Sequence, residues 1–299
     1  MRVNVERVLA GVVLVAMIGC GGGAILDPAM GTGGREWVRG RQGRLRVDDG
    51  GSGGIPVVFV HGNGGNRTQW AGQLRHLRAG RRAVAFDLRG MGESEIAENG
   101  DYSVEGFAED VSSVAEALGL PRFVLVGHSY GGAVVAAYAG MHPERLAGLV
   151  FADVAGDIRN TPADHVEALR RGLLPENYEK FTQRWFESIL VHGTDATKDV
   201  VFRSLRATRP EVFIAATTGL YTFDPAAALS HYRGPRLHIA SFLADNPVAI
   251  HRAFKDMPVR VVQDASHWLM LDRPGDFNRF LDEFLAGVNS PSPGGRGPG

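Results

Sequence analysis

Cysteine is almost absent from this 299-residue chain, which contains only Cys20 and so cannot form an intrachain disulfide bond. Neither sign of charge is in excess, because 32 Lys and Arg residues stand against 33 Asp and Glu residues. We therefore expect no nucleic-acid partner. The chain also lacks a His-Glu-x-x-His motif, a cysteine pair and a phosphate loop that ends in lysine. These absences disfavour a metal or nucleotide site, and we expect no cofactor.

An apolar run near the N-terminus, residues 8–18, is preceded by two arginines and followed by small residues that end at Cys20. This pattern is typical of a secretory signal peptide, and the run is short of the roughly 20 residues that a membrane span needs. The sequence Met-Ile-Gly-Cys resembles the bacterial lipobox, in which the cysteine is lipidated. We predict a signal peptide at 1–19, then lipidated Cys20 and a flexible tether over 20–36. The protein would be exported to the bacterial cell envelope and anchored to its membrane; an ordinary signal peptide is the alternative.

The folded domain is predicted to span residues 37–288, because residues 289–299 are rich in Pro, Gly and Ser and are expected to be disordered. Within it, continuous β-branched runs alternate with helical patterns such as 103–118, where Ser103 is the expected N-cap. This alternation predicts an α/β fold with a mostly parallel sheet. Residues 154–233 break the alternation and predict an inserted helical cap. The strand runs are 45–47, 56–60, 83–86, 123–126, 149–152, 237–240 and 259–262.

The most specific motif is Gly127-His128-Ser129-Tyr130-Gly131, which follows an apolar strand run and precedes a helical pattern. In this setting, Gly-x-Ser-x-Gly forms a sharp strand-to-helix turn that exposes the serine hydroxyl. Small residues are needed two positions to either side, because larger side chains would collide with neighbouring elements. The helix that follows also directs its N-terminus at the serine, which favours a developing negative charge. The motif therefore predicts Ser129 as a nucleophile.

A glycine-rich loop, His-Gly-Asn-Gly-Gly at 61–65, follows an earlier strand run. Backbone N–H groups in such a loop are free to point into a site. In enzymes built on a serine elbow, the oxyanion hole takes one N–H from this loop and one from the residue after the nucleophile. The predicted donors are the backbone N–H groups of Asn63 and Tyr130. A plain strand-to-helix turn is the alternative for the loop.

These motifs, with the segments at 87–94, 142–146 and 266–268, resemble the α/β-hydrolase superfamily in their order and spacing. The resemblance implies an α/β-hydrolase fold, in which helices flank a mostly parallel eight-stranded sheet. It also implies a triad in the order Ser, acid, His, and no cofactor. It assigns the base to His267, which lies between the last strand run and a helix expected from about Pro274. The other histidines lie in backbone motifs, turns, helices, the cap or a strand interior.

The acid of the triad stays open between several aspartates. At the family's usual slot, after the seventh strand, Leu243 occupies the expected position and Asp245 comes two residues late. Asp153 directly follows the sixth strand, where the haloalkane dehalogenase branch carries its acid. We predict Asp153 as the acid and Asp245 as the alternative, with Asp264 and Asp157 as lesser candidates. Whichever serves would accept the histidine Nδ1–H and stabilise the imidazolium.

The predicted reaction is hydrolysis of a carboxylic ester through an acyl-enzyme. A nucleophilic serine in place of aspartate disfavours dehalogenase and epoxide hydrolase chemistry. The same residues could act on an amide, a lactone or a C–C bond, which the fold does not separate. A non-catalytic binding module is a further alternative, disfavoured because every catalytic position is filled. Aromatic residues of the cap predict an apolar small-molecule substrate; they are Phe181, Trp185, Phe186, Phe202, Phe213, Tyr221 and Phe223.

Overall fold

One eight-stranded sheet organises residues 36–289, which are the residues that the computed structural model describes. Its strands are β1 (Trp37–Gly40), β2 (Gly43–Gly50), β3 (Val57–Val60), β4 (Ala83–Phe86), β5 (Phe123–His128), β6 (Leu146–Ala152), β7 (Arg236–Ala240) and β8 (Val259–Val261). Their order across the sheet is β1-β2-β4-β3-β5-β6-β7-β8. The pairs β1–β2 and β2–β4 are antiparallel, and all other neighbours are parallel. The predicted mostly parallel eight-stranded sheet is confirmed.

The central strands are apolar on both sides because both faces of the sheet are covered. In β3, Val58 and Val60 belong to one core cluster, whereas Val57 and Phe59 belong to the other. All four side chains are buried. The continuous apolar run at this strand therefore reflects two hydrophobic cores, one on each face.

Helices supply both covering layers. The helices are α1 (Ala71–Leu77), α2 (Val104–Ala117), α3 (Tyr130–Met141), α4 (Ala163–Gly172), α5 (Tyr178–Ile189), α6 (Asp195–Ala207), α7 (Pro210–Gly219), α8 (Pro225–Leu229), α9 (Ile250–Ala253), α10 (Leu269–Asp272) and α11 (Pro274–Asn289). Helices α2 and α3 cover one face, and α1 and α11 cover the other. The predicted N-cap of α2 is confirmed, since the Ser103 side chain accepts a hydrogen bond from the Gly106 N–H at 3.0 Å.

Five helices, α4 to α8, lie between β6 and β7 and form the predicted helical cap. Two of its aromatic residues, Phe186 and Phe213, are buried and contact each other with ring centroids 5.9 Å apart. Both belong to the same core cluster as β3 side chains. The cap is therefore continuous with the hydrophobic core and rests on the carboxyl ends of the strands.

The predicted signal peptide, Cys20, the tether up to residue 35 and the tail from residue 290 lie outside the described residues. Within residues 36–289, no helix has both the length and the hydropathy that crossing a bilayer requires.

Candidate active site

The carboxyl ends of three parallel strands bring together the residues that the motifs predict. Ser129 follows β5, Asp153 follows β6, and His267 lies on the loop after β8. All three line one cavity of about 250 Å³ beneath the cap. A larger groove of about 510 Å³ lies at the amino ends of β7 and β8, next to Arg236 and Pro258. It contains none of the motif residues, so the smaller cavity is the candidate active site.

The backbone of Ser129 has the strained conformation expected of a nucleophile elbow. Its φ is 52° and its ψ is −121°, a region that non-glycine residues rarely adopt. The turn depends on glycine, because a Cβ at Gly131 would lie 2.6 Å from the carbonyl oxygens of Val60 and His61. Ser129 is also the residue before the first turn of α3. The elbow therefore places Ser129 at the N-terminus of α3 and in the lining of the cavity.

His267 and Asp153 form a short hydrogen bond, with 2.7 Å between Nδ1 and Oδ2. The other carboxylate oxygen of Asp153 accepts the backbone N–H groups of Ser241 at 2.8 Å and Leu243 at 3.0 Å. Burial alone would raise the pKa of this fully buried carboxyl, but the hydrogen bonds outweigh burial and hold the pKa below its ordinary value. Asp153 is therefore ionised and can only accept, so His267 donates from Nδ1, which leaves Nε2 as the ring nitrogen that can act as a base.

Within residues 36–289, none of the three alternative aspartates hydrogen-bonds the His267 ring. The Asp245 side chain is fully exposed, and its nearest cation is Arg252 at 4.0 Å. Asp157 pairs with Arg159 at 2.7 Å. Asp264 contributes a backbone carbonyl to Arg273 at 3.1 Å. Among the described residues, Asp153 is the candidate acid that hydrogen-bonds His267.

Both backbone polar groups of His267 are hydrogen-bonded. Its N–H donates to the Ile189 carbonyl of the cap at 3.0 Å. Its carbonyl accepts Nε2–H of His128, at 2.9 Å. Burial is the main cause that lowers the pKa of His128 to about 3, so this ring stays neutral. Sequence motifs had assigned His128 only to the elbow, and they carried no signal for its contact with the base.

The two predicted oxyanion donors lie on adjacent elements. Tyr130 is the first residue of α3, so its backbone N–H has no partner within the helix. A Cβ at Gly62 would lie 3.1 Å from Cβ of Ser129, which puts the loop of Asn63 against the elbow. In the described part of the chain, the Asn63 N–H has no backbone acceptor. Both N–H groups are thus available next to Ser129.

Buried ion pairs brace the loops beneath the site. Asp87, at the end of β4, accepts the backbone N–H and a guanidinium N–H of Arg67, both at 2.6 Å. His61 accepts the Leu88 N–H at Nε2, 3.1 Å away, and burial lowers the pKa of His61. The 87–94 segment therefore has a structural role beside the site.

The cavity wall is mainly apolar. Among the described residues that line it, none is lysine or arginine. Residues 36–289 as a whole contain no group of three acidic, His or Cys side chains arranged to hold a metal ion. The Ser129 hydroxyl has no side-chain hydrogen bond within the described residues; catalytic contacts of this kind often tighten only when substrate binds. Apolar wall residues include Val154, Ile158, Trp185, Ile189, Leu220, Phe223, Leu243 and Ile250.

Comparison with known proteins gives the family. The family described as the alpha/beta hydrolase fold matches residues 55–197. Non-heme chloroperoxidase CPO-A1 of Kitasatospora aureofaciens is 30% identical over 257 residues, covering 78% of this chain and 92% of that protein. Epoxide hydrolase 3 of Xenopus tropicalis is 27% identical over 270 residues, covering 77% and 71%. An esterase structure from Thermogutta terrifontis aligns with a TM-score of 0.74 at 24% identity, covering 85% and 98%.

The chain belongs to the α/β-hydrolase fold family and is an α/β-hydrolase enzyme. Its relatives carry names of epoxide hydrolases, lipases and esterases. Family membership therefore establishes a hydrolase and leaves the bond that it cleaves to be argued from the site.

Proposed function

We propose that this enzyme is a serine hydrolase that cleaves small, uncharged carboxylic esters through an acyl-enzyme. Ser129 is the nucleophile, His267 the base, and Asp153 the acid that fixes the tautomer of His267. The observation that carries the proposal is the 2.7 Å hydrogen bond between His267 Nδ1 and Asp153 Oδ2 beside the cavity that Ser129 also lines.

The reaction has two halves. His267 Nε2 takes the Ser129 hydroxyl proton while Oγ attacks the ester carbonyl, and the oxyanion accepts the N–H groups of Asn63 and Tyr130. The imidazolium, stabilised by Asp153, then gives its proton to the departing alkoxide, which leaves an acyl-serine. Water loses a proton to His267 and attacks the acyl carbonyl. Collapse of the second oxyanion expels Oγ, which recovers the proton, and releases the carboxylic acid.

The lining of the cavity supports an uncharged substrate. A carboxylate group on the substrate would be buried there without a cationic partner, which is costly. The volume of about 250 Å³ lies below the roughly 300–1,000 Å³ typical of ligand pockets, which favours a small acyl group. A serine at the elbow also disfavours the epoxide hydrolysis named for one relative, since that chemistry on this fold uses an aspartate nucleophile.

We also propose that the enzyme is exported and held at a bacterial membrane by a lipid on Cys20. The support for this is the sequence alone: a charged start, a short apolar run and the single cysteine at the position where a lipobox needs it.

The proposed reaction predicts that Ser129→Ala abolishes ester hydrolysis and leaves the fold intact. Loss of a triad nucleophile typically lowers kcat by on the order of 10⁶. The measurement is turnover of p-nitrophenyl esters of increasing acyl length beside matched p-nitroanilides, together with fluorophosphonate labelling of each variant. We expect the wild type to cleave esters in preference to anilides and to be labelled. Labelling that persists in Ser129→Ala, or faster cleavage of anilides, would contradict the proposal.

A further inference from the structure

Two asparagine side chains attach the glycine-rich loop to the cap. Asn63 Nδ2 donates to the Phe213 carbonyl and to Thr217 Oγ1 of α7, both at 2.9 Å. Three residues further along, Asn66 Nδ2 donates to Ser204 Oγ of α6 at 3.0 Å. The first attachment belongs to the residue whose backbone N–H is the proposed oxyanion donor. The second belongs to a residue with no proposed part in the reaction.

The orientation of the Asn63 amide is fixed by its acceptors. The Phe213 carbonyl can only accept, so the group that faces it must be the NH₂ of Asn63. The Thr217 hydroxyl donates to the same carbonyl at 2.8 Å and so turns a lone pair towards the amide. Thr217 is 4% exposed, and water has little access to compete for these hydrogen bonds.

Within the loop, one turn hydrogen bond, from the Gly65 N–H to the Gly62 carbonyl at 3.0 Å, restrains the backbone around Asn63. Glycines precede and follow Asn63, and glycine restricts its backbone least of all residues. Gly64 has a φ of 69° and packs under the cap, where a Cβ would lie 3.1 Å from Leu205 and 3.3 Å from Phe213. The cap therefore adds a second constraint to a glycine-rich turn that is held by a single hydrogen bond of its own.

We propose that Thr217 is a positioning residue for the oxyanion hole: by holding the Asn63 side chain, it keeps the Asn63 backbone N–H directed at the developing oxyanion. This inference rests on the proposed function. Oxyanion stabilisation depends on donors that are already in place before the reaction, and loss of a whole donor costs about 10²–10³ in kcat. Loosening one donor without removing it should cost less.

The test compares Thr217→Val with Ser204→Ala. The hydroxyls of Thr217 and Ser204 are both buried. Each donates to the carbonyl four residues earlier and accepts a hydrogen bond from the side chain of a loop asparagine. We expect Thr217→Val to lower kcat about tenfold with KM nearly unchanged, because a positioned donor acts on the transition state. Thr217→Ser keeps the hydroxyl and should restore kcat. Ser204→Ala should change neither constant by more than about twofold, although it loosens the same cap.

A trifluoromethyl ketone matched to the best ester gives a second measurement, since its hemiketal places an oxyanion in the hole. Its inhibition constant should increase in Thr217→Val by the same factor by which kcat decreases. If valine disturbs α7, Asn63→Leu removes the same attachment from the loop side and should show the same split between kcat and KM. Wild-type kcat in both variants, or equal losses in Thr217→Val and Ser204→Ala, would overturn this inference alone. A wild-type enzyme that neither cleaves esters nor is labelled at Ser129 would overturn the proposed function with it.

Discussion

At the scale of single residues, the contacts of Asp153 distinguish it from Asp245. The Asp153 carboxylate accepts from His267, Ser241 and Leu243. Leu243 occupies the slot where many relatives are expected to carry the acid, and here its backbone N–H donates to Asp153, the proposed acid after the neighbouring strand. Asp245, on the same loop, is fully exposed. A buried carboxylate that accepts three hydrogen bonds can orient an imidazole, whereas water screens the interaction of a solvated carboxylate with the ring.

This difference predicts opposite outcomes for two isosteric substitutions. Asp153→Asn keeps the shape of the side chain but favours the wrong tautomer of His267. The same Asp-to-Asn change in the triad of a serine protease lowers kcat by about 10⁴, and we expect a similar loss here. Asp245→Asn should leave kcat within about twofold, because exposed charges contribute little. The measurement is kcat for the best p-nitrophenyl ester, with circular dichroism to check that each variant folds. Near-normal activity of Asp153→Asn with collapse of Asp245→Asn would reverse the assignment.

The sequence predicts some residues of the proposed site more directly than others. Ser129 follows from a local motif, because an elbow needs its glycines within a few positions, whereas His267 follows from the resemblance in the order and spacing of motifs. The sequence predicted Asp153 as the acid but could not exclude Asp245, since the two residues follow different strands and only the packing of those strands decides which one reaches the histidine; the structure has Asp153 hydrogen-bonded to His267. The attachment of Asn63 to Thr217 was also beyond the sequence, because it joins a loop to a cap helix over more than 150 positions.

At the scale of whole elements, the apolar runs predicted the buried strands and the edge strand β8, but not β1 at the opposite edge. β1 (Trp37–Gly40) buries only alternate residues, so it lacks the continuous run that marks the central strands. The helical cap was predicted from its length and pattern. The packing of the cap helices against one another was not predicted, since helices with similar amphipathic patterns can pack in several orders. The same arrangement decides which cap side chains reach the cavity, and Leu220, at the end of α7, is one of them.

Leu220 should therefore set the length of the acyl group. Each buried CH₂ contributes about 0.8 kcal/mol, or roughly fourfold in kcat/KM, until the cavity is full. Leu220→Ala enlarges the cavity, so the optimum of the p-nitrophenyl ester series should move to longer chains and kcat/KM for the shortest esters should fall. Leu169→Ala is the matched control, because Leu169 is also a half-buried cap leucine but does not line the cavity. An unchanged optimum in Leu220→Ala, or the same displacement in Leu169→Ala, would contradict this role.

At the scale of the whole molecule, the position of the first described strand bears on the proposed membrane anchor. The chain enters the domain at β1, an edge of the sheet, whereas the nucleophile follows the central strand β5. Fifteen residues separate Cys20 from Glu36, and that length can span at most roughly 50 Å. A domain of this size has a radius of gyration of about 18 Å. A segment of that reach would allow the domain to bind substrate without contact between the cavity and the proposed anchor.

The anchor and the active site should therefore be separable. Cys20→Ser removes the proposed site of lipidation, and the apolar run at 8–18 is too short to hold the chain as a span, so we expect the variant to leave the membrane fraction. Its kcat on a soluble p-nitrophenyl ester should stay within about twofold of wild type, since no cavity residue changes. The measurement is ultracentrifugation of cell lysates with activity assayed in pellet and supernatant, and a variant lacking residues 1–20 serves as the soluble reference. A Cys20→Ser variant that still sediments with membranes after a carbonate wash would show that another segment holds the protein there.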